Sequence, residues 1–149
     1  MEHYRERMWP SPWIFISLGL VVPASLLVFL PISILTGIVT AIVLYGATVG
    51  SLVATSPVIT VRDGRLTAGK ATLPLEYVGE ATAFEGAEAT LERGRRLDAR
   101  AWLVIRGWIN PVVKIVVTDE TDPTPYWLVS SRRPDDLIAA LGSAGARAI

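Results

Sequence analysis

From Met8 to Val61 the chain carries no Asp, Glu, Lys, Arg or His, and Tyr45 is the only ionisable side chain in that stretch. A soluble core does not ask for about 50 uncharged residues in a row, whereas a bilayer asks for about 20 per helical crossing. The run from Trp13 to Ala54 is too long for one crossing and fits two, over about 13–30 and 32–54, joined near Leu30-Pro31-Ile32-Ser33. Pro31 suits the first turn of the second helix, where a missing N–H costs nothing. Pro23 is expected to kink the first helix, a defect that membrane helices tolerate. A cleaved signal peptide competes with this reading, but its apolar region would cover only about 7–15 residues.

Arginines set the expected orientation. Arg5 and Arg7 precede the first span, Arg62, Arg65 and Lys70 follow the second, and the connecting turn has no charge. Basic residues stay on the cytoplasmic side, so both termini are placed in the cytoplasm at the inner membrane, with 1–12 as a cytoplasmic tail. Trp9 and Trp13 fall where interfacial aromatics sit. No intramembrane charge marks an ion path, and the scattered Ser and Thr hydroxyls can bond back to their own helices. Gly46, Gly50 and Ala54, four apart, form a small-residue stripe that lets another helix approach closely. Either the first span or a helix of a membrane protein partner, including a second copy, could cover it.

Composition excludes several chemistries. Without cysteine there is no disulfide, thiolate metal site or cysteine nucleophile, and a single histidine, His3, supplies neither a His-rich metal site nor a catalytic triad. Net charge is zero, which gives no general attraction to nucleic acid. We therefore expect no catalytic residues, no metal and no cofactor.

From about Pro57 the chain becomes charged and strand-like, and 57–142 reads as a cytoplasmic β domain with a terminal helix. "VITVRDGRLTAG" signals a hairpin around Asp63-Gly64, and "KATLPLEYV" a further strand that Pro74 confines to an edge or bulge. "AWLVIRGWI", "VVKIVVTD" and "YWLVSS" read as strands, while "EGAEATLERGRRLDA" fits either a short helix or a charged loop. Pro134, Asp135 and Asp136 open a helix that continues through Leu137, Ile138 and Leu141, with Gly142 as the stop and 143–149 as a flexible tail. The expected fold is thus membrane α+β: a two-helix hairpin, then a small β-barrel or bent antiparallel sheet closed by a C-terminal helix.

The segments "YRERMWPSPW", "ARAWLVIRGWI" and "TDPTPYWLVSSRRPDDLIAAL", together with the hairpin, resemble an actinobacterial family of small two-span membrane proteins catalogued as a domain of unknown function. The soluble part is also similar in layout to bacterial pleckstrin-homology-like domains. Neither resemblance implies an activity, a cofactor or catalytic residues.

Arg132 and Arg133 precede the helix and have two readings. With Arg62 and Lys114 they could hold a lipid phosphate; alternatively they pair with Asp135, Asp136 or the "DETD" turn. Arg93, Arg95, Arg96 and Arg100 could touch anionic headgroups, but interleaved acids favour a solvated loop. Trp102 and Trp127 are expected in the core, and Trp108 near a strand end facing the membrane. Asp119, Glu120, Asp122, Asp135 and Asp136 occupy turn or first-turn positions, where carboxylates have structural reasons to be. "DETD" lacks the glycine and spacing of a calcium loop. The chain thus reads as an accessory or scaffolding component in the bilayer, or else as a sensor of anionic headgroups.

Overall fold

A computed structural model describes residues 2–145. They form two units, Trp9–Ser56 and the residues up to Met8 joined with those from Pro57 onward.

The first unit is helical: α1 (Pro12–Gly19), α2 (Val21–Phe29) and α3 (Ile34–Ala54). The break at Leu20 has its cause three residues on. In an unbroken helix residue 23 would donate to the Gly19 carbonyl, but proline has no N–H and its ring crowds that oxygen. Pro12–Phe29 and Ile34–Ala54, 18 and 21 residues, are each long and apolar enough to cross a membrane. Their large apolar side chains are mostly uncovered, with Ile16 69% exposed and Leu27 73%. The second helix starts later than its sequence suggests. Ser33 is its N-cap, accepting from the Thr36 N–H at 3.5 Å, and Pro31 lies in the turn rather than in the first helical turn.

The second unit holds two four-stranded sheets. In the first, β1 (Glu2–Arg7), β2 (Val58–Arg62), β3 (Arg65–Ala68) and β4 (Ala71–Pro74) pair antiparallel in chain order. Asp63 and Gly64, at φ 51° and 72°, make the tight β2–β3 turn, whose left-handed geometry the Asp-Gly pair accommodates. A 3-10 turn over Leu75–Tyr77 leads into the second sheet. Its strands are β5 (Val78–Phe84), β6 (Trp102–Val104), β7 (Val112–Val117) and β8 (Tyr126–Ser130), in the order β5-β7-β8-β6.

Four expectations need correction. Residues 2–7 are a strand rather than a tail, because β2 offers them a full antiparallel partner. The sheets are not purely antiparallel: β6 runs parallel to β8. The connection over Ile105–Pro111 lets β8 insert beside β6, so only Trp102–Val104 of the "AWLVIRGWI" run is strand. Of the two alternatives left open for "EGAEATLERGRRLDA" the structure has the helix, α4 (Gly86–Arg93), whereas the final helix α5 (Pro134–Gly145) runs on through Gly142. Gly142 is therefore not the stop, and of the residues assigned to a tail, 146–149 lie outside the described ones.

The core gathers the inner faces of both sheets around α5, with Ile59, Leu66, Ile115, Val129 and Leu137 fully buried. β8 is buried along its whole length because α4 covers its outer face, where Ala89, Tyr126 and Leu128 cluster. Close packing makes Gly79 sensitive. A Cβ there would meet Thr118 Cγ2 at 2.9 Å and Val116 Cβ at 3.3 Å. Thr118 can rotate away, but the strand carrying Val116 cannot. Gly79→Ala is expected to cost about 1–2 kcal/mol and to lower the unfolding midpoint of the β unit by about 5–10 °C. A thermal scan of the solubilised full chain checks this.

Candidate functional site

The "SSRRP" turn between β8 and α5 is where the most distant parts of the chain meet. On β1, Tyr4 and Glu6 point inward and are buried, as is Met8 just past the strand. Glu6 sits in the middle of the row as a charged group in an apolar setting, which demands hydrogen bonds. It receives three. The Tyr4 hydroxyl and the Ser131 hydroxyl each donate to Oε2 at 2.6 Å, and the Arg132 N–H donates to Oε1 at 2.9 Å. The Arg133 N–H adds a bond to Ser131 Oγ at 3.1 Å. Burial first, and then the bond to Glu6, push the Tyr4 phenol up to about 12, so it stays a donor at any ordinary pH. Ser131 is fully buried and Glu6 nearly so, which keeps both from any substrate.

The arginine pair points outward from this clamp. Arg133 lies over the Tyr4 ring at 5.1 Å, donates to the Arg5 carbonyl at 3.1 Å and faces Asp136 at 3.7 Å. This is the local acid pairing that the sequence offered as one alternative. Arg133, His3, Arg5, Asp136 and Ser143 line an open groove of about 660 Å³.

The four bases considered as an anion site do not converge. Arg62 is bonded to Asp63 at 3.0 Å and lines a separate groove with Arg65, Thr67 and Thr72. Lys114 lies on the outer face of the second sheet, 3.0 Å from Glu92 and over the Tyr126 ring at 4.4 Å. Arg132 and Arg133 alone are adjacent.

The remaining candidates disperse as well. Arg96 bridges Glu88 and Glu92 at 2.7 and 3.2 Å, and Arg100 pairs with Asp98 at 3.0 Å, holding that carboxyl down at about 2. Asp119 accepts from the Thr121 hydroxyl and N–H, which lowers its carboxyl in turn. Asp135 is exposed in the first turn of α5. Among the described residues no group of three or more His, Asp or Glu could hold a metal ion. Trp127 is in the core, as expected, but Trp102 is 40% exposed because β6 is an edge strand, and it only leans on Trp127 at 6.2 Å. Trp108 follows the end of β6 on the loop to β7, with Arg106 over its ring at 5.9 Å.

In the helical unit the close approach falls elsewhere than the stripe. A Cβ at Gly37 would meet Leu26 Cδ2 at 3.3 Å and Phe29 Cβ at 3.4 Å, whereas Gly46 and Gly50 face nothing within 4 Å. Gly37 carries the hairpin contact that the sequence reading left unnamed. Its signal, one more glycine in an apolar helix, is indistinct without the partner helix.

No curated protein and no solved structure matches the chain. A family model described as "Protein of unknown function (DUF3093)" matches residues 3–141, from the strand that carries Glu6 into the helix that follows the Glu6 clamp. With nearly the whole of both units inside that match, the chain belongs to this family of unknown function.

Proposed function

We propose that the chain is a non-enzymatic accessory or scaffolding protein of the inner membrane. In this reading both helical stretches cross the bilayer, both termini and the β unit are cytoplasmic, and the small-residue face of α3 docks onto a transmembrane helix of a partner protein. One observation carries the docking: Gly46 and Gly50 stay open while Gly37 does the packing within the hairpin. Small residues left open in this way permit close backbone approach by another helix. The test is purification of the tagged full chain from native membranes in mild detergent. A stoichiometric membrane protein is expected to accompany it, to be lost in Gly50→Leu and kept in Gly50→Ala. A chain that emerges alone, or a companion indifferent to Gly50→Leu, overturns the docking.

The two sheets closed by α5 support the pleckstrin-homology-like layout, which an experimental structure of the β unit would test. A second functional reading, contact of the β unit with anionic headgroups, is favoured by how its bases are distributed.

A further inference from the structure

Strand registers sort the charges of the β unit between its two ends. In the first sheet one end holds Arg7, Val58 and Ala68, with the Gly69-Lys70 turn just beyond; the other holds Arg62, Arg65 and Pro74, with the Asp63-Gly64 turn. In the second sheet Phe84, Val112 and Ser130 mark one end and Val78, Val117 and Tyr126 the other. The sheets are tied like to like. Val104, one pair from Ser130's end, stands 3.8 Å from where a Gly69 Cβ would be. At the opposite end the Leu75 N–H donates to the Gly64 carbonyl and the Thr118 N–H to the Tyr77 carbonyl, both at 2.9 Å.

The end with Arg7 and Lys70 also carries Arg106, Arg132 and Arg133, which follow β6 and β8, against the exposed acids Glu85, Asp135 and Asp136. The other end carries Asp63, Glu76, Asp98, Asp119, Glu120 and Asp122 against Arg62, Arg65, Arg95, Arg96 and Arg100, the last three on the segment that meets Tyr126. Net charge is zero over the chain, but the β unit has an excess of bases at one end and a slight excess of acids at the other. The basic end is also where the chain leaves for the helices and comes back. The Met8 N–H donates to the Pro57 carbonyl at 3.0 Å, and only residues 9–11 and 55–56 lie outside the helices and that pair. Connectors of two or three residues span at most about 10 Å.

We infer that this end of the β unit rests on anionic phospholipid headgroups, with Arg7, Lys70, Arg106 and Arg132 toward the lipid and the acidic end toward the cytoplasm. The inference rests on the membrane-anchored reading above. A basic surface near an anionic leaflet is attracted over about a Debye length, roughly 8–10 Å, which these connectors keep within reach. Trp108, on the Arg106 loop, packs its indole against the core with Nε1 buried, and takes no part in this contact. Arg62 and Arg65, which the sequence groups with Lys70, fall at the far end and take no part.

The absence of cysteine makes the test clean. Gly107→Cys and Glu120→Cys, at the basic and acidic ends, each take a fluorophore; a side chain at Gly107 meets nothing within 4 Å. The labelled full chain is reconstituted in phosphatidylcholine vesicles with and without phosphatidylglycerol, doped with a headgroup-attached spin-label quencher. Quenching is expected to be strong at 107 and weak at 120, to grow with phosphatidylglycerol, and to fall as salt rises. In the Arg7→Gln/Lys70→Gln variant each lost charge is expected to lower the ratio of resting to lifted domain about fivefold. Equal quenching at both ends, or quenching at 107 indifferent to phosphatidylglycerol and salt, overturns the inference. The salt titration on the unsubstituted background decides even if the double variant folds poorly. Flotation of the vesicles after an alkaline wash separates the two readings: a chain that fails to float sinks the anchor itself, whereas one that floats without the 107–120 difference sinks only this surface.

Discussion

Glu6→Ala is expected to destabilise the β unit by about 3 kcal/mol. The carboxylate accepts from the Tyr4 hydroxyl, the Ser131 hydroxyl and the Arg132 N–H, and the two hydroxyls lie where water reaches them poorly. A buried donor left without a partner costs about 1–3 kcal/mol. The sum is not simply three such terms. Tyr4 and Ser131 already stand 3.1 Å apart and can bond to each other, and the space left by the side chain can admit a water. Glu6→Gln keeps one acceptor and the shape but loses the charge-assisted strength, so about 1 kcal/mol is expected. Denaturant unfolding of the solubilised full chain, followed by Trp127 fluorescence, measures both; an Ala variant as stable as Gln would refute the clamp. The same network predicts an alkaline limit. The folded Tyr4 value of about 12 lies above the ordinary 10, so its contribution is complete below pH 10 and is lost as pH climbs from about 10 through 12. Tyr4→Phe removes this part of the pH dependence.

Lys114→Met is expected to cost about 3 kcal/mol through the opposite sheet face. Glu92 on α4 keeps only 4% of its side chain exposed and is held by Lys114 at 3.0 Å and Arg96 at 3.2 Å. Burial alone would raise its carboxyl, but the hydrogen bonds from Lys114 and Arg96 outweigh burial and lower it. Without Lys114 the charge stays buried with Arg96 alone, and Arg96, half exposed and shared with Glu88, compensates weakly. Because the folded value lies below the unfolded one of about 4.3, the stability from Glu92 is present above that pH and lost as pH falls through the folded value. The unsubstituted chain should therefore lose stability on acidification below about pH 4, and Lys114→Met should lose less in that window. Adding Glu92→Leu to Lys114→Met should recover most of the loss, since an apolar pair of similar volume leaves no charge to desolvate. Melts at neutral and acidic pH decide both points.

Local chemistry was enough to read several elements. The uncharged run from Met8 to Val61 allowed only apolar helices, and Pro23 and the Leu30–Ser33 stretch marked where they break and turn. Asp63-Gly64 announced its hairpin, and Pro134 with Asp135 and Asp136 announced α5, because turn and first-turn chemistry resides in neighbouring residues. The end of α5 was less legible: a glycine stops a helix only where the backbone turns there, and at Gly142 it does not.

Long-range pairing decided the rest. β1 was invisible because its inward row reads Tyr4 and Glu6, and a glutamate in a core position looks like a surface residue until donors 125 and 126 positions away satisfy it. β6 chose β8 as a parallel neighbour, which no local signal encodes, and as an edge strand it left Trp102 exposed. Which glycine closes the helical hairpin depended on the facing helix, and Gly37 rather than Gly46 meets one. The sequence alone thus determined what each segment is, since charge, proline and turn residues act within a few positions. Tertiary structure alone determined which charges are buried and at which end of the β unit the others collect, since those depend on strand register across the whole chain.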